Sequence, residues 1–211
     1  MKYQWYAIKI AIICVIIWII QQIIPSLTDN FALVSSEVFS KPWTLITYVF
    51  LHAGFDHLFY NMFALVLFGS LLEKIIGGRK FLLIFFVSGI MAGIGSILFY
   101  GSSIGASGAI YGIMGTLVVL RPWTPVFVGM SPLPMIAAVI LWTLGDIIGI
   151  FAPSENIAYA AHLFGLIAGL AYGIYLKKDY GQHAQRKKSE ITEEEFQEWE
   201  DRYVKLSNSN L

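Results

Sequence analysis

The sequence predicts an all-α membrane protein with six transmembrane helices. Of its 211 residues, 57% are apolar and 13% are charged, and the mean hydropathy is +0.67. Soluble domains are typically about 45–50% apolar and about 25% charged. The apolar residues form long runs, and lysine and arginine are concentrated in every second connection between these runs. Long uncharged runs identify membrane spans, and the one-sided basic residues identify their orientation.

Six apolar runs predict the helices in order. The first has no small-x-small cleavage site after it, which disfavours a cleaved signal peptide. The fourth has only about 15 residues, or roughly 22 Å, against a hydrocarbon core of about 30 Å. Its N-terminus is therefore expected below the outer surface, in a wet cavity lined by protein. The predicted spans are 6–24, 57–76, 81–100, 106–120, 133–151 and 157–176.

The connection between the first and second helices, residues 25–56, is long and rich in aromatic residues. Pro25 and Pro42 divide it into apolar pieces that are too short to span a membrane. Trp43 and Tyr48 are residue types that concentrate at the headgroup level. We therefore expect a first loop that lies at the membrane interface and is partly embedded.

The C-terminal residues differ in kind from the rest, so we predict a membrane domain over residues 1–176 and a tail over 177–211. Residues 177–189 are predicted to be a basic, polar linker. Thr192 and Glu195 then form a capping box at the start of a short amphipathic helix. Its apolar face, at helical spacing, consists of Phe196, Trp199, Tyr203 and Leu206.

Lysine and arginine orient the six predicted helices. They precede the first helix, lie between the second and third and between the fourth and fifth, and follow the sixth, whereas the opposite side holds only Lys41. Basic residues favour the cytoplasmic side. We therefore expect a multi-pass protein of a prokaryotic plasma membrane with both termini in the cytoplasm.

This orientation brings four polar side chains to a similar depth in the outer half of the membrane. His57 and Ser107 open the second and fourth helices, and His162 lies about one turn into the sixth. His57 and Asn61 are four residues apart and therefore share one helix face, as do Ser107 and Tyr111. One such histidine could be only an interhelical hydrogen bond, but two with an asparagine and a serine suggest a functional site.

Glycines recur on the fourth and sixth helices at positions 108, 112 and 115 and at 165, 169 and 173. Small residues let membrane helices approach closely. The glycines could be packing residues alone, and that packing could also bring His162 within hydrogen-bond distance of Ser107.

Three motifs in this order resemble the rhomboid intramembrane serine proteases. They are Gly105-x-Ser107-Gly108 at the start of a helix, His57-x-x-x-Asn61 on an earlier helix, and Ala161-His162 followed by glycines on the last one. The resemblance covers about residues 5–176 and implies the six-helix rhomboid bundle. One departure is in the first loop, where Trp43 is followed by Thr44 instead of the arginine common in the family.

The resemblance implies a role for each motif residue. Ser107 would be the nucleophile, and His162 would be the general base and then the acid. His57, Asn61 and the Ser107 backbone N–H would form the oxyanion hole, and Tyr111 would stack on His162. The substrates would be single-span membrane proteins, and the protein would be surrounded by membrane lipid. The resemblance implies no cofactor, no metal and no nucleic-acid partner. Supporting positions would be Gly105, Gly108 and His52.

Asp146 is the one carboxylate inside a predicted span away from a cytoplasmic end. It could orient His162 as in a triad, but we expect it to cap or bond near the outer end of the fifth helix, because it lies about one turn from that end, where an acid can reach interfacial water, and the family implies no role for it. Asp146→Asn would then change the rate by no more than about tenfold. Two alternatives to a protease remain open: a non-catalytic rhomboid-like protein that binds membrane helices, and a channel or transporter, which the scarcity of charged residues along the helices disfavours.

Overall fold

The computed structural model describes residues 3–128, 131–152, 157–189 and 197. The chain divides into two compact units, Met1–Ile174 and Tyr175–Leu211. The first unit contains every candidate site residue named above. In the second, the structure describes the C-terminal part of the last long helix and Gln197. The described residues are mostly helical.

Each of the six predicted apolar segments is helical; five helices have bounds close to the predicted ones, and the last continues beyond its predicted end. Four are long and apolar enough to cross a membrane, and two are shorter. The four long ones are α1 (Tyr6–Ile23), the continuous helix Phe55–Ile76, α6 (Gly78–Phe99) and the part Tyr159–Tyr180 of α9 (Tyr159–Ser189). The two shorter ones are α7 (Ser107–Leu120) and α8 (Met135–Phe151).

The continuous helix Phe55–Ile76 changes its hydrogen-bonding pattern in the middle. It consists of α4 (Phe55–Ala64), a π-helical segment Leu65–Gly69, and α5 (Ser70–Ile76). Gly77 ends it with φ of 84°, a left-handed conformation that glycine adopts at little cost. The next helix, α6, begins at the following residue, so the turn is very tight.

The first loop folds onto the helices through short elements. These are α2 (Ser26–Phe31), β1 (Leu33–Val34), α3 (Thr44–Thr47) and a 3₁₀ turn Tyr48–Phe50. β1 pairs antiparallel with β2 (Ser102–Ser103), which lies between α6 and α7. The Tyr48 hydroxyl donates a hydrogen bond to the Gly89 carbonyl of α6 at 2.7 Å. The loop is therefore attached to the connection that leads into Ser107.

Thr44 is buried, and its hydroxyl donates to the Lys41 carbonyl at 2.7 Å. Thr44, which replaces the arginine common in the family, is therefore a buried residue that stabilises the first loop. The neighbouring Trp43 is half exposed, and Phe39 is almost fully exposed. Exposed aromatic side chains are of the type that concentrates at the headgroup level, and the interfacial location of this loop stays a prediction.

The connection between α7 and α8 forms a hairpin of β3 (Pro125–Val128) and β4 (Ser131–Pro134). These two strands were not predicted from the sequence. Beyond Leu176, α9 continues to Ser189, so the segment 177–189, predicted to be a basic, polar linker, is helical. The predicted amphipathic helix after residue 190 lies outside the described residues, apart from Gln197.

Glycines bring α6, α7 and α9 into close contact. A Cβ on Gly108 would collide with Ala92, and Cβ atoms on Gly165 and Gly169 would collide with the backbone of Gly108 and Gly112. The hydroxyl of Thr116 lies 3.0 Å from the Gly169 carbonyl, across the same contact. Close backbone approach of this kind is what small residues permit between membrane helices. It sets the separation of α7 and α9, and hence the distance between the side chains at their N-terminal ends.

Candidate active site

Ser107 and His162 lie within hydrogen-bond distance. Ser107 Oγ and His162 Nε2 are 2.9 Å apart. Ser107 is the first residue of α7, and His162 is in the first turn of α9, so the glycine-mediated contact of these helices brings the two side chains together. A serine hydroxyl becomes a good nucleophile when an adjacent base can accept its proton. The pair has the geometry that such a reaction requires.

Tyr111 lies against the imidazole ring of His162. Its ring stacks on the imidazole of His162, with centroids 4.4 Å apart and 10° between the planes. Tyr111 is one turn beyond Ser107 on α7, so both residues point toward α9. The stacked ring restricts the rotation of the imidazole.

From the sequence we expected Asp146 to bond locally near the outer end of its helix, and this expectation is wrong. Its Oδ1 lies 3.1 Å from Nδ1 of His162, and the carboxylate is buried. The Tyr111 hydroxyl also interacts with this carboxylate. The three side chains Ser107, His162 and Asp146 therefore form a continuous row across α7, α9 and α8.

The pairing of α8 with α9 explains this contact. The two helices follow each other in the sequence and run antiparallel, and Asp146 and His162 are equally far along the chain from residue 154, which lies in their connection. Gly149 and Tyr159 are also equidistant from that point, and a Cβ on Gly149 would collide with the Tyr159 ring. Asp146 and Gly149 share one face of α8, as Tyr159 and His162 share one face of α9. This hairpin symmetry is the sequence signal that could have predicted the contact.

Gly105 provides space for His57 beside Ser107. Its φ is 120°, and a Cβ there would lie 2.7 Å from the imidazole ring of His57. The Gly105 N–H donates to the Tyr48 carbonyl at 2.9 Å, which connects the motif to the first loop. A side chain at position 105 would thus be strained and would displace His57.

His52 is the histidine behind His57. The two ring centroids are 5.1 Å apart in an edge-to-face arrangement. Neither ring nitrogen of His52 makes a hydrogen bond of regular geometry, and the residue is buried. Burial lowers the pKa of His52 to about 3, the nearby His57 adds to the decrease, and the Phe50 backbone opposes it only in part. His52 is therefore neutral and packs as an uncharged ring at physiological pH.

Asn61 is buried one turn below His57. Its side-chain nitrogen donates to the His57 carbonyl of the same helix at 2.8 Å. Since the amide nitrogen has two hydrogens, the second is available to a ligand. Asn61 and Ser107 line the same cavity.

This cavity has a volume of about 420 Å³ and extends from Ser107 between α4, α7 and α8. Its walls are mostly apolar, and Ser107, Asn61 and Tyr111 are among the residues with polar groups that line it. The π-helical segment contributes part of one wall, and such segments are frequent at functional sites. The sequence analysis did not identify these wall residues, which include Leu67, Phe68, Met114, Phe127 and Trp142.

A family model named Rhomboid domain matches residues 40–179 of this chain. The chain belongs to the rhomboid family. The matched range includes every site residue described above, so the motifs and the family model agree on the same part of the protein. With its long apolar helices, this rhomboid is a multi-pass membrane protein.

Named relatives show the same similarity. The rhomboid is 36% identical over 130 residues to "Putative rhomboid protease YdcA" of Bacillus subtilis (strain 168), covering 60% of this chain and 63% of that protein. It is 37% identical over 141 residues to RHOMBOID-like protein 6, mitochondrial, of Arabidopsis thaliana, covering 65% of this chain and 44% of that protein. It is 29% identical over 174 residues to Rhomboid protease GlpG of Yersinia pseudotuberculosis serotype I (strain IP32953), covering 77% and 59%. The chain thus spans 44–63% of the length of these relatives.

Proposed function

We propose that this rhomboid is an intramembrane serine endopeptidase that hydrolyses peptide bonds in single-span membrane proteins. The observation that carries the proposal is the 2.9 Å contact between Ser107 Oγ and His162 Nε2, with Ser107 in the lining of a mostly apolar cavity. Ser107 attacks the peptide carbonyl while His162 accepts its proton, and His162 then protonates the leaving amine. The names of the relatives, which include rhomboid proteases, support the same activity.

The oxyanion of the tetrahedral intermediate requires hydrogen-bond donors near Ser107. The Ser107 backbone N–H belongs to the first turn of α7, where amides have no acceptor within the helix. Asn61 lines the cavity beside Ser107, and His57 lies against Gly105. These three donors form the oxyanion hole, and each such donor typically contributes several kcal/mol to transition-state stabilisation.

The surroundings of the site suit a substrate that is a membrane helix. The cavity walls are apolar, and exposed apolar side chains surround the bundle on its lipid side. We include in the proposal six spans, with α7 and α8 as the short ones, both termini in the cytoplasm, and a prokaryotic plasma membrane. Membrane lipid is the solvent of the bundle. The reaction uses water and side chains, without a cofactor, metal or nucleic acid.

Digestion of a panel of single-span membrane proteins in detergent tests this proposal. The wild-type protein should cleave at least one member within or near its membrane segment, and Ser107→Ala should cleave none. Turnover by Ser107→Ala that persists after removal of contaminating proteases would contradict the mechanism. A wild-type protein that binds these helices and never cleaves them would instead be the non-catalytic helix-binding protein.

A further inference from the structure

We propose that Asp146 is a positioning residue that holds the imidazole of His162 for reaction with Ser107, so that the site is a triad. This inference rests on the proposed serine-protease function and deepens it. The motif residues of the family resemblance imply a dyad of Ser107 and His162 alone. The geometry adds a buried carboxylate on the far side of the imidazole, with Oδ1 3.1 Å from Nδ1.

The burial of Asp146 calls for an explanation that its own helix does not supply. The residue is 5% exposed inside an apolar helix, where a carboxylate is costly. Asp stabilises a helix at its N-terminus, by capping or through the helix dipole. Asp146 lies toward the C-terminal end of α8, where neither effect operates. Its contacts are instead with side chains of other helices, His162 and Tyr111.

The contact selects one tautomer of His162. A carboxylate that accepts from Nδ1–H places the proton on Nδ1 and leaves the Nε2 lone pair directed at the Ser107 hydroxyl. The opposite tautomer would present an N–H to Ser107 and could not accept its proton. Asp146 thus favours the one protonation pattern in which the pair can react.

The carboxylate also supports the charge that develops during the reaction. As Oγ of Ser107 forms its bond to the substrate carbonyl carbon, the hydroxyl proton moves to Nε2 and the carbonyl π electrons move to the oxyanion. His162 becomes an imidazolium beside the carboxyl group of Asp146, which stabilises the positive charge. When the C–N bond breaks, the Nε2 proton goes to the leaving amine. The acyl group stays on Ser107 until water, which gives a proton to His162, attacks it; the acid is released and that proton returns to the Ser107 Oγ. Asp146 acts in these steps through His162.

Two rigid contacts hold this arrangement. Gly149 packs on the Tyr159 ring one turn from the Asp146–His162 pair, and Tyr111 stacks on the imidazole. The first fixes α8 against α9, and the second prevents the ring from turning away from Asp146. In a soluble triad, the asparagine substitution of the orienting aspartate lowers kcat by about 10⁴-fold through the wrong tautomer. We therefore expect a loss far above the tenfold limit of the dyad interpretation.

The test compares wild type with Asp146→Asn, and with Thr143→Val as the matched control. Thr143 is on the same helix, one turn away, and its hydroxyl bonds only the Val139 carbonyl in the described contacts. The measurements are the rate of Ser107 labelling by a fluorophosphonate, kcat and KM on a cleaved substrate, and the melting temperature. Asp146→Asn should lower labelling and kcat by at least about 10²-fold, with KM within about threefold. Thr143→Val should leave both rates near the wild-type values.

The outcomes separate this inference from the proposed function. A wild-type protein that neither labels nor cleaves would remove the proposed function. A wild type that labels normally, with Asp146→Asn labelling within about tenfold of it, would overturn the triad alone. If Asp146→Asn does not fold, ¹⁵N NMR of the wild-type histidines tests the inference by showing whether Nδ1 of His162 carries a proton. A proton on Nδ1 of His162 that exchanges slowly with solvent is expected, and an unprotonated Nδ1 would overturn the inference.

Discussion

The ring of Tyr111 lies almost parallel to the imidazole of His162, with 4.4 Å between centroids. We expect kcat of Tyr111→Phe to stay within about tenfold of the wild-type value, because the stacked ring remains. Tyr111→Ala should lose more, because the imidazole then gains rotational freedom and leaves the reactive orientation. Comparison of kcat for the two variants checks this. Equal activity of Tyr111→Ala and wild type would show that stacking does not position His162.

A side chain at position 105 should be harmful, because Gly105 combines φ of 120° with contact to His57. Gly105→Ala is expected to lower the free energy of unfolding by about 1–3 kcal/mol and to reduce activity strongly. Gly101 is the matched control in the same loop, since a Cβ there would meet nothing within 4 Å. Thermal unfolding and cleavage rates of Gly105→Ala and Gly101→Ala measure the difference. Equal effects of the two substitutions would contradict this account of Gly105.

The spacing of α7 and α9 should also be sensitive to a single methyl group. A Cβ on Gly169 would collide with the Gly112 backbone, so Gly169→Ala is expected to cost about 1–3 kcal/mol and to slow fluorophosphonate labelling of Ser107. Gly145→Ala is the control, because that position on α8 faces open space. Labelling of Gly169→Ala at the wild-type rate would show that this contact does not set the Ser107–His162 distance.

Asn61→Ala should lower kcat by about 10-fold to 10³-fold if Asn61 is an oxyanion donor. The loss should be partial, because His57 and the Ser107 N–H remain. The measurement is kcat together with the melting temperature, since Asn61 also bonds the His57 carbonyl. A drop in melting temperature large enough to explain the lost activity would make Asn61 a packing residue instead.

His52 should make the folded protein sensitive to acid. Its pKa is lowered from 6.5 to about 3 in the folded chain, so between these values the unfolded chain binds a proton that the folded chain does not. Stability present above pH 6.5 is therefore lost as the pH falls toward 3. Between pH 7.5 and 5.0 this amounts to about 2 kcal/mol.

Melting curves of wild type and His52→Gln at these two pH values test the contribution of His52. Glutamine does not titrate, so the variant should lose less stability on acidification than wild type, whatever its stability at neutral pH. Parallel losses in the two proteins would assign the acid sensitivity to other groups.

Much of the fold could be predicted from composition and local pattern. Long apolar runs predicted the positions of six helices. In lipid, each apolar segment must form the hydrogen bonds of its own backbone N–H and C=O groups, so each becomes a helix separately. The family resemblance selected Ser107, His162, His57 and Asn61 from motifs that are local in sequence. The exceptions are also local: the helical continuation to Ser189 and the β3–β4 hairpin were missed, since charge and proline content alone did not predict them.

The sequence by itself determined which segments are helices, how basic residues are distributed around them, and which motif residues lie near the helix starts. The tertiary structure decided which faces meet. The contact of Asp146 with His162, the burial of Thr44 and the apolar cavity beside Ser107 all depend on the rotation and spacing of neighbouring helices. That rotation is set by pairwise packing, such as Gly149 on Tyr159 and Gly169 on Gly112, and helical periodicity contains no information about which partner a face will meet.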